Sequence, residues 1–496
     1  MLVLLSLAHA EPSSGTLPPP TVGALVRPEV WVDPVRDVST EDGTEIHTWS
    51  RAWVKGELRN HDAYFLEARL QHHVMIGKDT EAWWEASLGE TGWDGKLGGP
   101  FRLRVGNLVE KWGKLDLLPV ADVINPRDIR VGANMNSDFS HIPLPMGILA
   151  VEGGAFRAET VLIPFPSTDR LYTRETDWSY MRQDYTDQLL GEMTNPNIYQ
   201  YEELVGGEAD FSVVLDSSIQ GMRTSLFDMS TQFRRNLDYT MTSDNLPEAI
   251  VGNGEIAERL EWSGHNVDAA LFGGYFRSRQ PNAVLDPYLQ NTLQTQTLPS
   301  NLEGVQAFQA ATSGGPLNVD WPRTWIGGLD GSALVGPLQF RLDGAFKSAQ
   351  VVRRAWGNAS VVPSLAAGLG VDWYQSTHFQ LSVESRYTHL MDAPDDLMFS
   401  LADQVQVAGG VRFVTMRDRL SFQVGGLFDV TFVEGMFRPS VAFQANDHFL
   451  FDVTGMLLAG KTAAPRTVDD IFQYEGGVMS YFQANDGIGF AVQYTP

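Results

Sequence analysis

The chain has 496 residues and a net charge of −25, with 61 acidic against 36 basic side chains, so it lacks the basic face that nucleic acid requires of a partner. It contains no cysteine, which rules out disulfides, thiolate metal sites and a thiol nucleophile. Hydrophobic residues make up 43 % and mean hydropathy is −0.16. No run of about 18–20 apolar residues is present to cross a bilayer as a helix, but a membrane barrel needs apolar residues only at every second position.

Residues 1–10 end in Ala8-His9-Ala10, a small-x-small pattern that a signal peptidase would cut. The apolar core before it is short and carries no preceding Lys or Arg, which fits a start further upstream. Residues 11–44 are rich in Pro, Ser and acidic residues and read as a periplasmic lead-in with little structure. The barrel proper is expected over 45–496.

From about His47 to Tyr494 the dominant period is two. Leu338, Phe340, Leu342 and Phe346 alternate with Gln339, Arg341, Asp343 and Lys347. Phe379, Leu381, Val383 and Tyr387 alternate with Gln380, Ser382, Glu384 and Arg386. Successive strand side chains point to opposite faces, so each segment has one apolar and one polar face. A soluble sandwich shows the same alternation. Strands of about 9–14 residues and the mixed-sign charge of the polar faces favour a barrel across a bilayer instead. The expected fold is therefore all-β, a transmembrane antiparallel β-barrel of roughly 16–20 strands. Trp49, Trp53, Trp83, Trp84, Trp262, Tyr275, Trp325, Trp373 and Tyr374 fall at strand ends, where interfacial girdles place aromatics. The closing strand sets Ile488, Phe490, Val492 and Tyr494 outward.

Tight turns are expected near Asn60-His61-Asp62, Gly153-Gly154, Asp216-Ser217, Gly264-His265-Asn266, Gly336-Pro337, Ser376-Thr377, Arg417-Asp418, Asn446-Asp447 and Asn485-Asp486-Gly487. Long connections fall near 114–144, 165–199, 228–253, 278–320 and 389–400. Counting back from the last hairpin puts the long connections on the side of the C-terminus, opposite to the usual arrangement.

The alternation nominates acidic lumen residues Glu67, Glu208, Asp210, Glu261, Asp268, Asp343, Glu384, Asp429 and Asp452. The basic set is Arg69, Arg102, Arg104, Arg259, Arg341, Lys347 and Arg386. The two nearly balance, which favours cross-strand pairing over a strongly selective lumen. His72 and His73 are strand neighbours facing opposite ways, so they cannot share a metal. Asp392, Asp395 and Asp396 lack the spacing of a calcium loop. No catalytic constellation stands out, and neither a cofactor nor a metal site is expected.

The stretch 101–165 is the most distinctive. It carries Gly106 and Trp112-Gly113, then Asn125-Pro126-Arg127-Asp128, Ile142-Pro-Leu-Pro-Met146 and Leu162-Ile-Pro-Phe165. These segments resemble an uncharacterised family of proteobacterial outer-membrane barrels, with Asn107-Leu108 standing where that family has Arg-Gln. The resemblance implies the fold and the outer membrane, and brings no substrate. Residues 114–144 are too apolar for a free loop, so Trp112, Gly113, Asn125, Pro126 and Asp128 are expected in a latch folded on the wall or into the lumen. A channel for small solutes is the leading expectation. A non-conducting barrel serving an export or motility machine is the alternative. Lipid, the barrel-assembly machinery and further envelope proteins are the partners either would have.

Overall fold

The computed structural model describes residues 19–32, 44–58, 62–76, 81–130, 132, 139–170, 178, 253–295, 317–465 and 468–496. They form one closed antiparallel barrel of 18 wall strands. The strands run in chain order from β1 (Thr21–Val32), β2 (Thr44–Glu57) and β3 (Ala63–Ile76) to β4 (Glu81–Leu88) and β5 (Thr91–Gly98), which make one broken wall strand. Then come β6 (Phe101–Leu108), β7 (Leu144–Gly153), β8 (Phe156–Ile163), β9 (Glu255–Ser263) and β10 (Val267–Arg277). After the small hairpin β11 (Asn282–Leu285) and β12 (Leu317–Asp320), the wall continues through β13 (Arg323–Val335), β14 (Leu338–Arg354), β15 (Asn358–Ser376) and β16 (Phe379–Leu390). The two-residue β17 (Leu397–Met398) sits on the end of β14. The wall finishes with β18 (Asp403–Thr415), β19 (Leu420–Asp429), β20 (Glu434–Gln444), β21 (Phe449–Gly460) and β22 (Gly487–Tyr494).

β22 closes the ring on β1, with Phe490 opposite Val30 and Ala491 opposite Glu29. This corrects the lead-in: residues 21–32 are a wall strand. Leu25, Arg27, Glu29 and Trp31 face in while Val22, Val26 and Val32 are exposed. Pro28 masks the strand in the sequence. A proline within a sheet deletes a ladder hydrogen bond, and the β1–β22 ladder skips residues 27 and 28 while keeping its register on either side.

The barrel is inside-out. Phe340, Leu342, Val383, Phe422, Phe451 and Phe490 are all exposed on its outer face. Arg341, Asp343, Asp372, Glu384 and Asp429 are buried on its inner face. The girdle assignment holds for Trp84, Trp262 and Trp325, which are exposed on the outer face, and Tyr275 packs on Trp325 with ring centroids 4.5 Å apart, whereas Tyr374 shares the inward side of β15 with Asp372. It fails for Trp49, which is buried on the inner face between His47 and Phe139, and for Trp53 and Trp83 on the same side of the wall.

Among the described residues seven short turns, beginning with those at 98–101 and 153–156 and ending with that at 444–449, lie at one barrel end with Tyr494, as do the ends of β2 and β3, whose expected turn at Asn60-His61-Asp62 is only partly within the described residues. The long connections lie at the other end. This overturns the inverted topology. Asn485-Asp486-Gly487 is not a hairpin turn but the last part of a 26-residue connection from Lys461 to Asp486, which contains helical turns at Val468–Phe472 and Val478–Tyr481. Asp-Gly is a strong hairpin signal when strands flank it. Here the preceding apolar run is helical and docks on the wall, so it adds no strand to the count. The turn expected at Asp216-Ser217 lies outside the described residues.

Candidate functional site

The segment between β6 and β7, described at 109–130, 132 and 139–143, turns into the barrel. Its neck is tied by Asn125, whose side-chain amide donates to the carbonyls of Leu108 (3.0 Å) and Ile142 (2.9 Å). Its Oδ1 accepts the backbone N–H of Glu110 at 2.7 Å. One buried side chain thus joins the entry and the exit of the loop. Pro126 keeps the strand-like exit, its carbonyl accepting Ile142 N–H at 2.9 Å.

From this neck the chain runs along the inner wall. β6 is the fifth wall strand, whereas the loop's tip is held by β14 and β16, the eleventh and thirteenth. Asp343 on β14 accepts the backbone N–H groups of Lys114 (2.7 Å) and Leu115 (3.3 Å). Glu384 on β16 accepts those of Asp116, Leu117 and Leu118 at 3.0, 2.9 and 2.8 Å. Arg341 completes the clamp, donating to the Lys114 carbonyl at 2.7 Å and pairing with Asp116, Asp372 and Glu384 at 3.1, 2.8 and 2.9 Å. Buried carboxylates and guanidinium are tolerated here because each is answered by several hydrogen bonds. Lys114 also pairs with Asp268, and Arg386 donates to the Pro119 carbonyl.

Apolar packing fills the space beneath the loop. Trp112, Leu115, Val120 and Ile124 pack with Met146, Ile148, Phe272 and Ile326, inward residues of β7, β10 and β13. Small inward residues make room for the tip: a Cβ on Gly368 of β15 would lie 2.4 Å from the Leu115 side chain. Gly113 adopts φ +94°, where L side chains are strained, and a Cβ there would lie 2.6 Å from Asp343 Oδ2.

Charge in the returning arm is also paired. Asp122 accepts from Arg127 (2.6 Å) and faces His141 (2.8 Å). Burial pushes its carboxyl up, but His141 and Arg127 outweigh that and hold it below the usual carboxylate range. Asp169, past β8, accepts Arg127 N–H at 2.8 Å. Burial raises it to about 6 against the opposing pull of that hydrogen bond and of Arg279 and Arg127. Asp128 binds Arg130, which reaches Glu85 at 2.6 Å and lies 4.2 Å above the Trp83 ring.

The remaining nominated residues sit as follows. Arg69 pairs with Glu67 at 2.6 Å and donates to the His141 carbonyl. Arg102 pairs with Asp94 and Arg104 with Glu110, each at 2.7 Å. Arg259 pairs with Asp330 at 2.7 Å and lies over the Trp112 ring. Asp429 accepts Gln406, Thr431 N–H and Phe432 N–H, closing the turn into β20. Asp452 accepts the Thr454 hydroxyl at 2.7 Å. Glu261 and Lys347 are half-buried on the inner faces of β9 and β14. Glu208 and Asp210 lie outside the described residues. Sequence reasoning passed over Asp330 and Asp372, although both stand at inward positions of alternating strands. It also passed over Glu434, which accepts the N–H groups of Met479 (3.2 Å) and Ser480 (2.8 Å).

No known family model matches the chain, and no curated protein does. Among solved structures it is similar to OccK5 (OpdH) of Pseudomonas aeruginosa, at 8 % identity and TM-score 0.44 over 96 % of this chain and 97 % of that one. It is similar too to OccAB4 of Acinetobacter baumannii, at 9 % identity and TM-score 0.45 over 97 % and 98 %. OccK8 (OprE) of Pseudomonas aeruginosa matches at 8 % and 0.46 over 96 % and 98 %. At such identities no residue role is carried from one chain to another.

Proposed function

We propose that the protein is a porin-like channel of a Gram-negative outer membrane, passing small solutes through a lumen narrowed by the 109–143 segment. One observation carries this reading: the closed wall exposes its apolar side chains outward and buries its charges inward. An outer surface of this kind is stable against hydrocarbon and unstable in water. A closed barrel leaves no unpaired strand edge to the lipid. Barrels of 16–18 strands enclose an aqueous lumen unless something fills it. Lipid around the wall and the assembly machinery acting on β22 are the partners this reading requires.

Short turns on such barrels face the periplasm and long connections face outward. The machine-anchor alternative drew its support from long connections on the periplasmic side, and that support is gone. Protease applied to intact cells is expected to cut within 278–320. Purified protein in a planar bilayer is expected to give stable unitary steps. Silence at high protein load, with the barrel folded, would sink the channel reading.

A further inference from the structure

Three further side chains come together on the inner wall, away from the loop clamp: Glu45, His47 and His73. His47 and His73 are direct partners across β2 and β3, with ring centroids 4.7 Å apart. Glu45 is the next inward residue on β2. All three are buried, at 2 %, 1 % and 0 % exposure, and one ligand atom from each lies within 4.8 Å of the others.

The hydrogen bonding of the two histidines is incomplete. Glu45 Oε2 lies 3.0 Å from His47 Nε2, but His73 Nε2 is 3.9 Å from Glu45 Oε1. Neither ring nitrogen of His73 has a hydrogen-bond partner among the described residues, nor does Nδ1 of His47. Buried polar groups are nearly always paired, so an unpartnered imidazole aimed at another imidazole and a carboxylate needs a reason. An ion held at about 2.0–2.1 Å in tetrahedral geometry separates its ligands by about 3.4 Å. The two observed separations lie on either side of that value.

We propose that Glu45, His47 and His73 bind one divalent transition-metal ion of the zinc class on the inner face of the wall. Two imidazoles and one carboxylate suit zinc, nickel or copper, whereas calcium and magnesium take all-oxygen shells. Rings enclose the site. Trp49 stacks on His47 and Trp83 on His73. Phe139 packs on Trp49, and Arg130 lies over Trp83. Phe139 and Arg130 come from the returning arm of the 109–143 segment, so the ion sits beneath that arm and braces β2 to β3 where the arm lands. Sequence reading set the histidines aside because His72 and His73 diverge, and His72 does pack on Trp84 on the outer side. The ligand set forms across strands instead, where chain spacing gives no sign of it.

The test uses full-length, tag-free protein, unfolded with chelator and refolded in detergent with zinc. After removal of excess metal, one zinc per chain is expected by mass spectrometry. Retention should fall at least tenfold in His73→Ala and in His47→Ala. X-ray absorption at the zinc edge of the wild type should show a nitrogen and oxygen shell with imidazole scattering. Zinc kept equally by both variants, no zinc in the wild type, or a shell without imidazole overturns the proposal. The wild-type spectrum decides alone if the variants fail to fold.

Discussion

Two connections at the same end of the barrel fold back on its inner wall, by different means. Residues 109–118 travel from the fifth wall strand to the thirteenth and are held at the tip by backbone N–H groups on Asp343 and Glu384. Residues 461–486 lean over their own strands and also meet neighbouring connections: Phe472 stacks on Trp356 and its carbonyl accepts the Trp356 N–H at 2.8 Å, and Tyr474 and Tyr481 pack on Phe399. An aromatic cluster holds them, in which Tyr474, Tyr481 and Phe482 pack with Trp31, Met456 and Leu458. Glu434 adds two N–H contacts of the kind Glu384 makes. A connection can rest mainly on burial where rings beside it, here those of Trp31, Phe399 and Trp356, supply the apolar surface. One that reaches across the lumen must find directional partners on a distant wall, and buried carboxylates provide them.

That contrast can be broken at either connection. Glu384→Ala leaves three loop N–H groups and part of Arg341 unanswered in the interior. Breaking a buried charged contact of this kind costs about 3–5 kcal/mol. Limited proteolysis of folded protein in detergent should then cut within 113–124 and leave 461–486 intact. Tyr481→Ala should do the reverse. Truncating a buried aromatic costs about 3–5 kcal/mol where the site cannot collapse, and about the lower end of that is expected here because three neighbouring rings can close in. The readout is cleavage confined to 461–486. Equal cutting of both connections in either variant would mean that they are one cooperative unit.

A smaller effect is expected from Gly113→Ala, which places a Cβ against Asp343 at a left-handed φ. About 1–3 kcal/mol of local strain should raise cutting at the tip, short of the level in Glu384→Ala. Smallest is a pH effect of two signs along the returning arm. Asp169 has a raised pKa of about 6. Its contribution to stability is therefore full below the ordinary Asp range and is lost as pH rises through about 6. Asp122 is held low, so its contribution is present above the ordinary Asp range and is lost as pH falls through its depressed value. Protection of the amides near 164–170, corrected for the intrinsic pH dependence of exchange, should be greater at pH 5 than at pH 7.5, and Asp169→Asn should shrink that difference.

The alternation of Leu338 to Lys347 or Phe379 to Arg386 identified the wall and the inward side of Arg341, Asp343 and Glu384, because a strand's period of two leaves no other choice. The apolar residues of 114–124 showed that this segment is covered. What covers it was hidden, since its partners stand more than 220 residues away in the chain. Pro28 concealed β1, and Asp486-Gly487 imitated a hairpin because a short, mostly apolar run such as Val478–Phe482 reads equally as strand or helical turn. Trp49 and Trp83 look like girdle residues until the inward side of β2 and β3 is known.

The central claim is a conducting lumen narrowed by a loop pinned at Asp343 and Glu384. Single-channel recording of the wild type beside a variant with residues 113–124 replaced by a short Gly-Ser linker tests it most directly. Steady steps from both proteins, several-fold larger in the variant, are predicted. Equal conductance in the two, or none in either despite a folded barrel, would contradict it.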